Sequence, residues 1–385
     1  MRAKDICSGL SGRIVLALLA LYLGGCATYS MQATSMRDNL LTGRADLARI
    51  TAEEKDDNLD DVLACLNKGM LRRMTDDYTG SNQIFEIAKQ QMESLYGVRI
   101  TDAAASVTIN DDVRDYKGDR YEQVLLHAYM AMNDLQLGKP DSARVEMLQA
   151  DVKMMEWGEQ PDEDPFVRYF AGMIYEALGE EDQALVSYRK ARDVYVATRN
   201  EQLLEVPLML KKDLLRLLAS QGLWDEYNSL KSEYGLANFK PTKLSGNFGE
   251  LIVILNNGLA PIREETSIMT FSSEVQSTVR VAFPVYKTEA LPAKKTRLRI
   301  SGELVDLETV ENIDALARQA LDQDMPLVMA RAVARAVVIY QSQKGAQDQH
   351  ELAGLLLTLT NLATERADTR SWTTLPQEIQ MARVM

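Results

Sequence analysis

Between Phe166 and Ala191, small and large apolar residues recur at helical spacing, break once, and resume. Asp164 is a good N-cap, and Pro165 suits the first helical position. Ala171, Gly172, Tyr175 and Leu178 lie on one face of a helix that stops near Gly179; Ala184, Leu185, Tyr188 and Ala191 then restore the period. The stretch therefore predicts two short helices folded against each other. Small residues sit where the helices cross, and large ones fill the gaps. A hairpin of this kind cannot bury its apolar face alone, so other segments must stack on it.

Those segments are visible on both sides. Tyr121, Val124, Leu125, Ala128, Met132 and Leu135 precede Gly138-Lys139-Pro140-Asp141, and Ala143, Met147 and Ala150 follow. Superimposing Gly138 on Gly179 gives a period of 41 residues, and Gly222, flanked by Leu214, Leu215, Leu218, Trp224 and Tyr227, lies 43 beyond Gly179. Upstream, Leu59, Val62, Leu63, Leu66 and Met70 form one stripe and Ile84, Phe85, Ala88, Met92 and Leu95 another, with turn chemistry at Asp77–Ser81. The pattern A-G-x-x-Y-x-x-L-G-x-x-x-x-A-x-x-x-Y-x-x-A resembles a tetratricopeptide repeat with longer links, such as Trp157–Asp164. Gly172, Tyr175, Gly179, Ala184, Tyr188 and Ala191 are then the structural repeat positions. Residues 98–116 show only weak alternation and read as a crossing segment.

Near Pro241 the pattern changes. Phe248–Leu255, Thr278–Tyr286 and Arg297–Val305 read as strands, with Asn256-Asn257-Gly258 as a turn and Pro284 and Pro292 marking an edge or loop. Val310–Asp322, Pro326–Gln343 and Asp348–Glu365 read as helices, with Arg331 and Arg335 snorkelling from the middle one. The last apolar stretch ends at Met385 as a strand might begin. The fold class is therefore mostly α: a tetratricopeptide-like helical-hairpin array over 37–240, followed by a smaller α+β domain over 241–385 that is expected to be cut short at its C-terminus.

At the other end, Arg2, Lys4 and Arg13 precede an apolar run, Ile14–Leu23, too short to span a bilayer but suited to a secretory signal. Leu23-Gly24-Gly25-Cys26 resembles the lipobox of bacterial lipoproteins, in which the chain is cut before the cysteine and its thiol and new amino group are acylated. Residues 1–25 are then a signal peptide and 26–36 a tether. Acyl chains contribute about 0.8 kcal/mol per buried CH₂, which anchors a chain without a transmembrane helix. Ala27 stands where inner-membrane lipoproteins usually carry Asp, so the resemblance implies the outer membrane, facing the periplasm. Losing Arg2, Lys4, Arg13 and Asp5 takes the formal net charge from −13 to −15. A body that acidic has no bulk electrostatic attraction for nucleic acid. With Cys7 removed and Cys26 acylated, Cys65 is left alone among Leu63, Leu66 and Met70 as a buried thiol.

Asn257-Gly-Leu-Ala-Pro261, Val281-Ala-Phe-Pro-Val-Tyr286 and Ala367-Asp-Thr-Arg-Ser-Trp372 resemble a family of bacterial outer-membrane lipoproteins that join tetratricopeptide-like repeats to a C-terminal α+β module. No catalytic role attaches to that family. The resemblance implies a protein partner in envelope assembly or peptidoglycan synthesis. His127 and His350 make no metal-ligand pattern, and the chain carries no P-loop, G-x-G-x-x-G or G-x-S-x-G, so neither cofactor nor metal is expected. The function expected is that of an interaction scaffold; the alternative is a cell-wall binding or cleaving enzyme with a carboxylate pair distant in sequence.

Stacked hairpins curve, and the first helix of each pair lines the concave face. Tyr169, Met173 and Glu176 are therefore expected to face a partner groove, unless residues 98–116 or the C-terminal module fill it. Arg370 and Trp372 form the second candidate surface. The lipobox gives a direct test. Cys26→Ser is expected to leave the precursor uncut by the lipoprotein signal peptidase, seen by mass spectrometry, and a mutant of mature mass would overturn the reading.

Overall fold

The structure is a computed structural model that describes residues 34–55, 61–97, 115–158, 163–241, 249–272, 277–287, 294–347 and 366–384. The signal peptide, Cys26, Leu59, most of the 98–116 segment, His350 and the helix expected over Asp348–Glu365 lie outside them.

The array comprises α1 (34–41), α2 (Ala45–Lys55), α3 (Val62–Met74), α4 (Tyr78–Gly97), α5 (Arg120–Gln136), α6 (Pro140–Trp157), α7 (Pro165–Ala177), α8 (Glu181–Ala197), the single-turn α9 (Arg199–Gln202), α10 (Leu208–Ser220) and α11 (Trp224–Glu233). Helix α1 begins inside the stretch expected to be tether. One backbone device closes the hairpins. Gly138, Gly179 and Gly222 have φ of +70, +77 and +73°, which an L side chain rarely adopts. After each, an N–H returns to the carbonyl five residues back: Lys139 to Asp134 O at 2.8 Å, Glu180 to Tyr175 O at 2.8 Å, Leu223 to Leu218 O at 2.9 Å. Gly43 turns α1 into α2 in the same way. Between α3 and α4 the left-handed position is held by Asp76 at φ +62°, and Asp77 N–H bonds Arg72 O at 3.0 Å. That turn lies earlier than the expected Asp77–Ser81, because Tyr78 already begins α4 and the Asp77 side chain accepts from Gly80 N–H at 2.9 Å.

The hairpin α7/α8 is built as its sequence directs. Asp164 caps α7, accepting from Val167 N–H at 2.8 Å. A Cβ on Gly172 would lie 2.4 Å from the ring of Tyr188 and 3.3 Å from Ala184 O. Tyr188, Ala184 and Ala191 are fully buried, and Tyr175 is nearly so.

The remaining chain forms three antiparallel pieces. Strands β1 (Leu251–Asn257), β7 (Glu378–Val384) and β6 (Glu308–Asn312) make a sheet in the order β1-β7-β6, with a bulge in β6 between Thr309 and Glu311. The closing stretch of the chain is thus the sheet's central strand. β2 (Arg263–Ser272) pairs with β3 (Ser277–Tyr286), and β4 (Arg297–Ile300) with β5 (Glu303–Asp306). The strand expected over Arg297–Val305 is instead a hairpin, turned at Ser301 and Gly302, both with positive φ. Strand β2 was not expected, because Arg263-Glu-Glu-Thr-Ser carries little apolar alternation. Val310 lies in β6 and not in a helix. The two helices expected around Pro326 are one, α12 (Ile313–Gln347). Pro326 deprives the Asp322 carbonyl of its partner, but both residues are exposed, so water can take the place of the lost N–H.

The array and the C-terminal module share their main core. One continuous cluster runs from Leu63, Phe85 and Tyr129 through Tyr169 and Leu214 to Val310, Trp372, Leu375, Ile379 and Met381. Overpacking at a helix crossing typically costs about 1–3 kcal/mol. Gly172→Leu is therefore expected to lower thermal stability by at least that much, because the Tyr188 ring it meets is walled in. An unchanged melting temperature would contradict the crossing.

Candidate functional site

The groove expected to receive a partner is filled by the chain itself. Tyr169 is fully buried and Met173 4% exposed; both belong to the cluster that the array shares with Val310, Ile379 and Met381 of the module. The Tyr169 hydroxyl donates to Asp213 Oδ2 at 2.7 Å, and its ring meets that of Tyr188 edge-on with centroids 5.4 Å apart. Glu176, from the last turn of α7, is held by Arg216 of α10 in a two-pronged ion pair and by the Tyr188 hydroxyl at 2.8 Å. Arg383 of β7 completes the cluster. Its Nη2 donates to Glu176 Oε2 at 3.0 Å, its Nη1 to Asp213 Oδ2 at 2.8 Å, and its Nε to Glu250 Oε1 at 2.5 Å. Of the two arrangements expected for Tyr169, Met173 and Glu176, an open groove or one filled by the chain itself, the second holds: a strand of the C-terminal module lies against Glu176 and Asp213.

The electrostatics follow from that packing. Burial alone would raise the Glu176 carboxyl, but the hydrogen bonds from Arg216 and the charges of Arg383 and Arg216 outweigh it and hold the group at about 2. Burial of Arg383 opposes its charge, yet Glu250, Asp213 and Glu176 keep it firmly protonated. Neither arginine could be read from the sequence as part of this site, since their partners lie on other elements.

Other contacts fasten the same two halves. Glu308 of β6 accepts from Leu208 N–H at 2.5 Å and Met209 N–H at 3.2 Å, so the module caps α10, whose own N-cap position is Pro207. The Tyr195 hydroxyl donates to Val310 O at 2.6 Å. Asp164 and Glu311 are both buried, and each accepts from a backbone N–H through one oxygen, Asp164 from Val167 at 2.8 Å and Glu311 from Asn312 at 2.9 Å. Burial, then the neighbouring Asp164 charge, puts the Glu311 carboxyl well above the usual range.

Trp372 is also corrected from surface to core. It is 1% exposed, wedged edge-on between Phe85 at 5.9 Å and Tyr129 at 6.0 Å. Its indole N–H donates to Thr374 Oγ1 at 2.9 Å, and its backbone N–H to Glu122 Oε1 at 2.8 Å. Glu122 also accepts from Tyr116 Oη at 2.5 Å and from Asp119 N–H at 2.9 Å. Burial, reinforced by the charge of Asp119 and opposed by these hydrogen bonds, lifts its carboxyl to about 7. Asp119 itself is ion-paired with Arg263 of β2. Arg370 bonds Asp368 at 2.9 Å and lies over the Tyr116 ring, 5.6 Å from its centroid. Its side chain is half-buried.

What stays open is the outer face of the array. Helix α6 buries Ala143, Met147, Ala150 and Met154 on one side, yet Val145, Leu148, Val152 and Met155 on the other are 46, 40, 55 and 64% exposed. Their 3-4-3 spacing is that of a helix-pairing seam. Among the described residues no helix covers this second apolar side.

No family model and no curated protein matches the chain. Among solved structures, MamA of AMB-1 is similar at 16% identity, over 54% of this chain and 93% of MamA, with a TM-score of 0.34. MamA from Desulfovibrio magneticus RS-1 is similar at 12% identity, over 54% and 91%, with a TM-score of 0.34. The TPR-like repeats of a Podosopora anserina kinesin light chain are similar at 13% identity, over 54% and 93%, with a TM-score of 0.37. At such scores the tetratricopeptide-like fold rests on the hairpins and turns described above.

The Glu176 cluster sets a pH dependence. A carboxyl held at about 2 when folded and 4.5 when unfolded adds stability that is complete above pH 4.5 and is lost as pH falls toward 2, up to about 3 kcal/mol. Glu176→Gln is expected to cost about 3–5 kcal/mol at neutral pH, since two buried guanidiniums lose an acceptor. It should also flatten the decline below pH 4.5, measured by chemical denaturation; a variant matching the wild type would refute the assignment.

Proposed function

We propose that the chain is an outer-membrane lipoprotein, anchored through Cys26 and facing the periplasm, whose helical-hairpin array is a docking scaffold for a periplasmic or outer-membrane protein. The lipobox resemblance supports the anchor. The observation that carries the scaffold role is the unpaired seam Val145-Leu148-Val152-Met155 on α6, outward-facing in an array whose inner face is already filled. An envelope-assembly or peptidoglycan-synthesis partner fits the family resemblance. Of the carboxylates that the fold brings together, Glu122, Asp164 and Glu311 are buried and bonded to nearby backbone N–H groups, and Asp119 is ion-paired with Arg263, which favours this reading over glycan cleavage.

The test is crosslinking in cells that produce the lipidated protein, with Val152→Glu and Met155→Glu beside the wild type. Both side chains are exposed, so circular dichroism and melting temperature should hold. Burying one charge in a helix seam should weaken the contact about tenfold or more, with crosslinked partner lost in proportion. Unchanged crosslinks to the same partners in both variants would move the docking surface off α6.

A further inference from the structure

Charged and polar side chains border the α6 seam on both flanks, and their order along the helix says what the seam can pair with. On one flank Arg144 lies 2.9 Å from Glu180, just before α8, and Asp151 lies 3.7 Å from Lys190 further along α8. Asp151 is also ion-paired with Arg168. Arg144, Asp151 and Lys190 keep 37, 32 and 43% of their side chains exposed, so these intramolecular pairs leave each able to meet a partner. On the other flank Gln149 and Glu156 line a depression together with Glu93 and Lys153. Written as a heptad, Val145 and Val152 are a positions and Leu148 and Met155 d positions. Arg144 and Asp151 are then the g positions, and Gln149 and Glu156 the e positions, which set partner choice and orientation in a helix seam.

We propose that the seam takes a second copy of this chain, its α6 packed antiparallel about a two-fold axis level with Ala150. The seam is its own complement in that arrangement. A half-turn lays Val145 on Met155 and Leu148 on Val152, each twice, so every apolar residue of the seam meets an apolar one. An antiparallel pair also sets g against g and e against e. Arg144 then faces Asp151 of the second copy, and Gln149 faces Glu156. Gln149 Oε1 already accepts from Lys89 Nζ at 3.2 Å, which leaves its amide hydrogens to donate to that carboxylate. The α8 flank has the same polarity: Glu180, Glu181 and Asp182 lie at its start and Lys190 further along, so the half-turn brings the acidic end of one flank toward the basic end of the other. A parallel pair fails on the same residues. It sets g against e, which places Asp151 against Glu156 twice, and like charges there select against it. The proposal rests on α6 being the docking surface and names what docks there.

The test oxidises cysteine pairs, with copper phenanthroline, in cells that produce the full lipidated chain in two differently tagged forms. Cys26 is acylated in the lipidated chain and Cys65 is buried, so neither contributes. Val145→Cys in one form with Met155→Cys in the other is expected to give a crossed disulfide, as is Leu148→Cys with Val152→Cys. Val145→Cys in both forms, or Met155→Cys in both, should give roughly tenfold less, because the half-turn holds the two copies of either residue about 15 Å apart along the helices. All four side chains are exposed, so the melting temperature should hold. Arg144→Glu makes the pair with Asp151 like-charged and should lower the crossed yield about fivefold. Disulfides between identical positions as strong as the crossed ones would mean a parallel pair. A crossed yield no higher than that of Val196→Cys, exposed on α8, would mean random collision, and either result overturns the proposal. Crosslinked species that Val152→Glu removes but that carry only one tag would leave α6 a docking surface and overturn only the second copy. Crosslinks untouched by Val152→Glu would overturn the docking surface itself.

Discussion

A guanidinium near the end of the chain, that of Arg383, is buried against carboxylates from helices more than 160 residues earlier: Glu176, 207 positions away, and Asp213, 170 away. Taking such a charge out of water costs several kcal/mol, and only geometry with every donor engaged repays it. Arg383 meets that condition through Glu176, Asp213 and Glu250 together. The arrangement settles what the array can be. Its inner helices cannot open toward a partner without exposing Tyr169 and Met173 and stranding Arg216 and Glu176 in a partly dry cavity. Hydrophobic burial supplies the bulk of the adhesion along Trp372, Ile379 and Met381; the ionic cluster specifies which strand of the module lies there and in which register.

Titratable contacts between the halves pull in opposite directions with pH. Glu176 is stabilising when charged and fails in acid. Glu122, lifted to about 7 from 4.5, binds its proton more tightly when folded, so its contribution is complete below pH 4.5 and is lost as pH rises toward 7. Glu311, raised further by Asp164, follows the same sign. The junction is thus limited on both sides, by lost ion pairs below and by lost protons above. Both limits sit at one boundary because it is where polar residues from two sequence regions had to be buried together.

The legibility of this fold in its sequence divides along the same boundary. Gly138, Gly179 and Gly222 announced their turns, since a left-handed residue after an apolar period has few alternatives, and the crossing at Gly172 followed from small residues meeting large ones. Asp76 performs the same turn without glycine, which displaced the reading of the α3/α4 link. That the C-terminal module could fill the groove was legible as an alternative; which of its residues do so was not. Tyr169 and Glu176 have the spacing of a groove face, and that face exists, but the residues that cover it lie at Leu251–Asn257 and Glu378–Val384, and no local pattern records a pairing at that separation. Strand β2 was missed for a related reason: a ribbon with one partner strand needs little apolar alternation. Trp372 read as a surface aromatic because its neighbours Asp368, Arg370 and Ser371 are polar, whereas each of them bonds within the fold or lies beneath it.

Filling the inner face has a consequence for the outer one. In an open array the concave face carries recognition, and the second helix of each hairpin needs only one apolar side, toward its own first helix and the next repeat. Helix α6 departs from that economy: Ala143, Met147, Ala150 and Met154 already satisfy its packing, yet Val145, Leu148, Val152 and Met155 are kept apolar in water. Four exposed apolar residues in random positions would mean little. Four at 3-4-3 spacing on one helix are coherent in pattern. Solubility favours charge at such positions, as at Asp141 and Glu156 on the same helix. The simplest physical account is that the chain has exchanged faces, with its own C-terminal sheet taking the groove and leaving the back of the array for recognition.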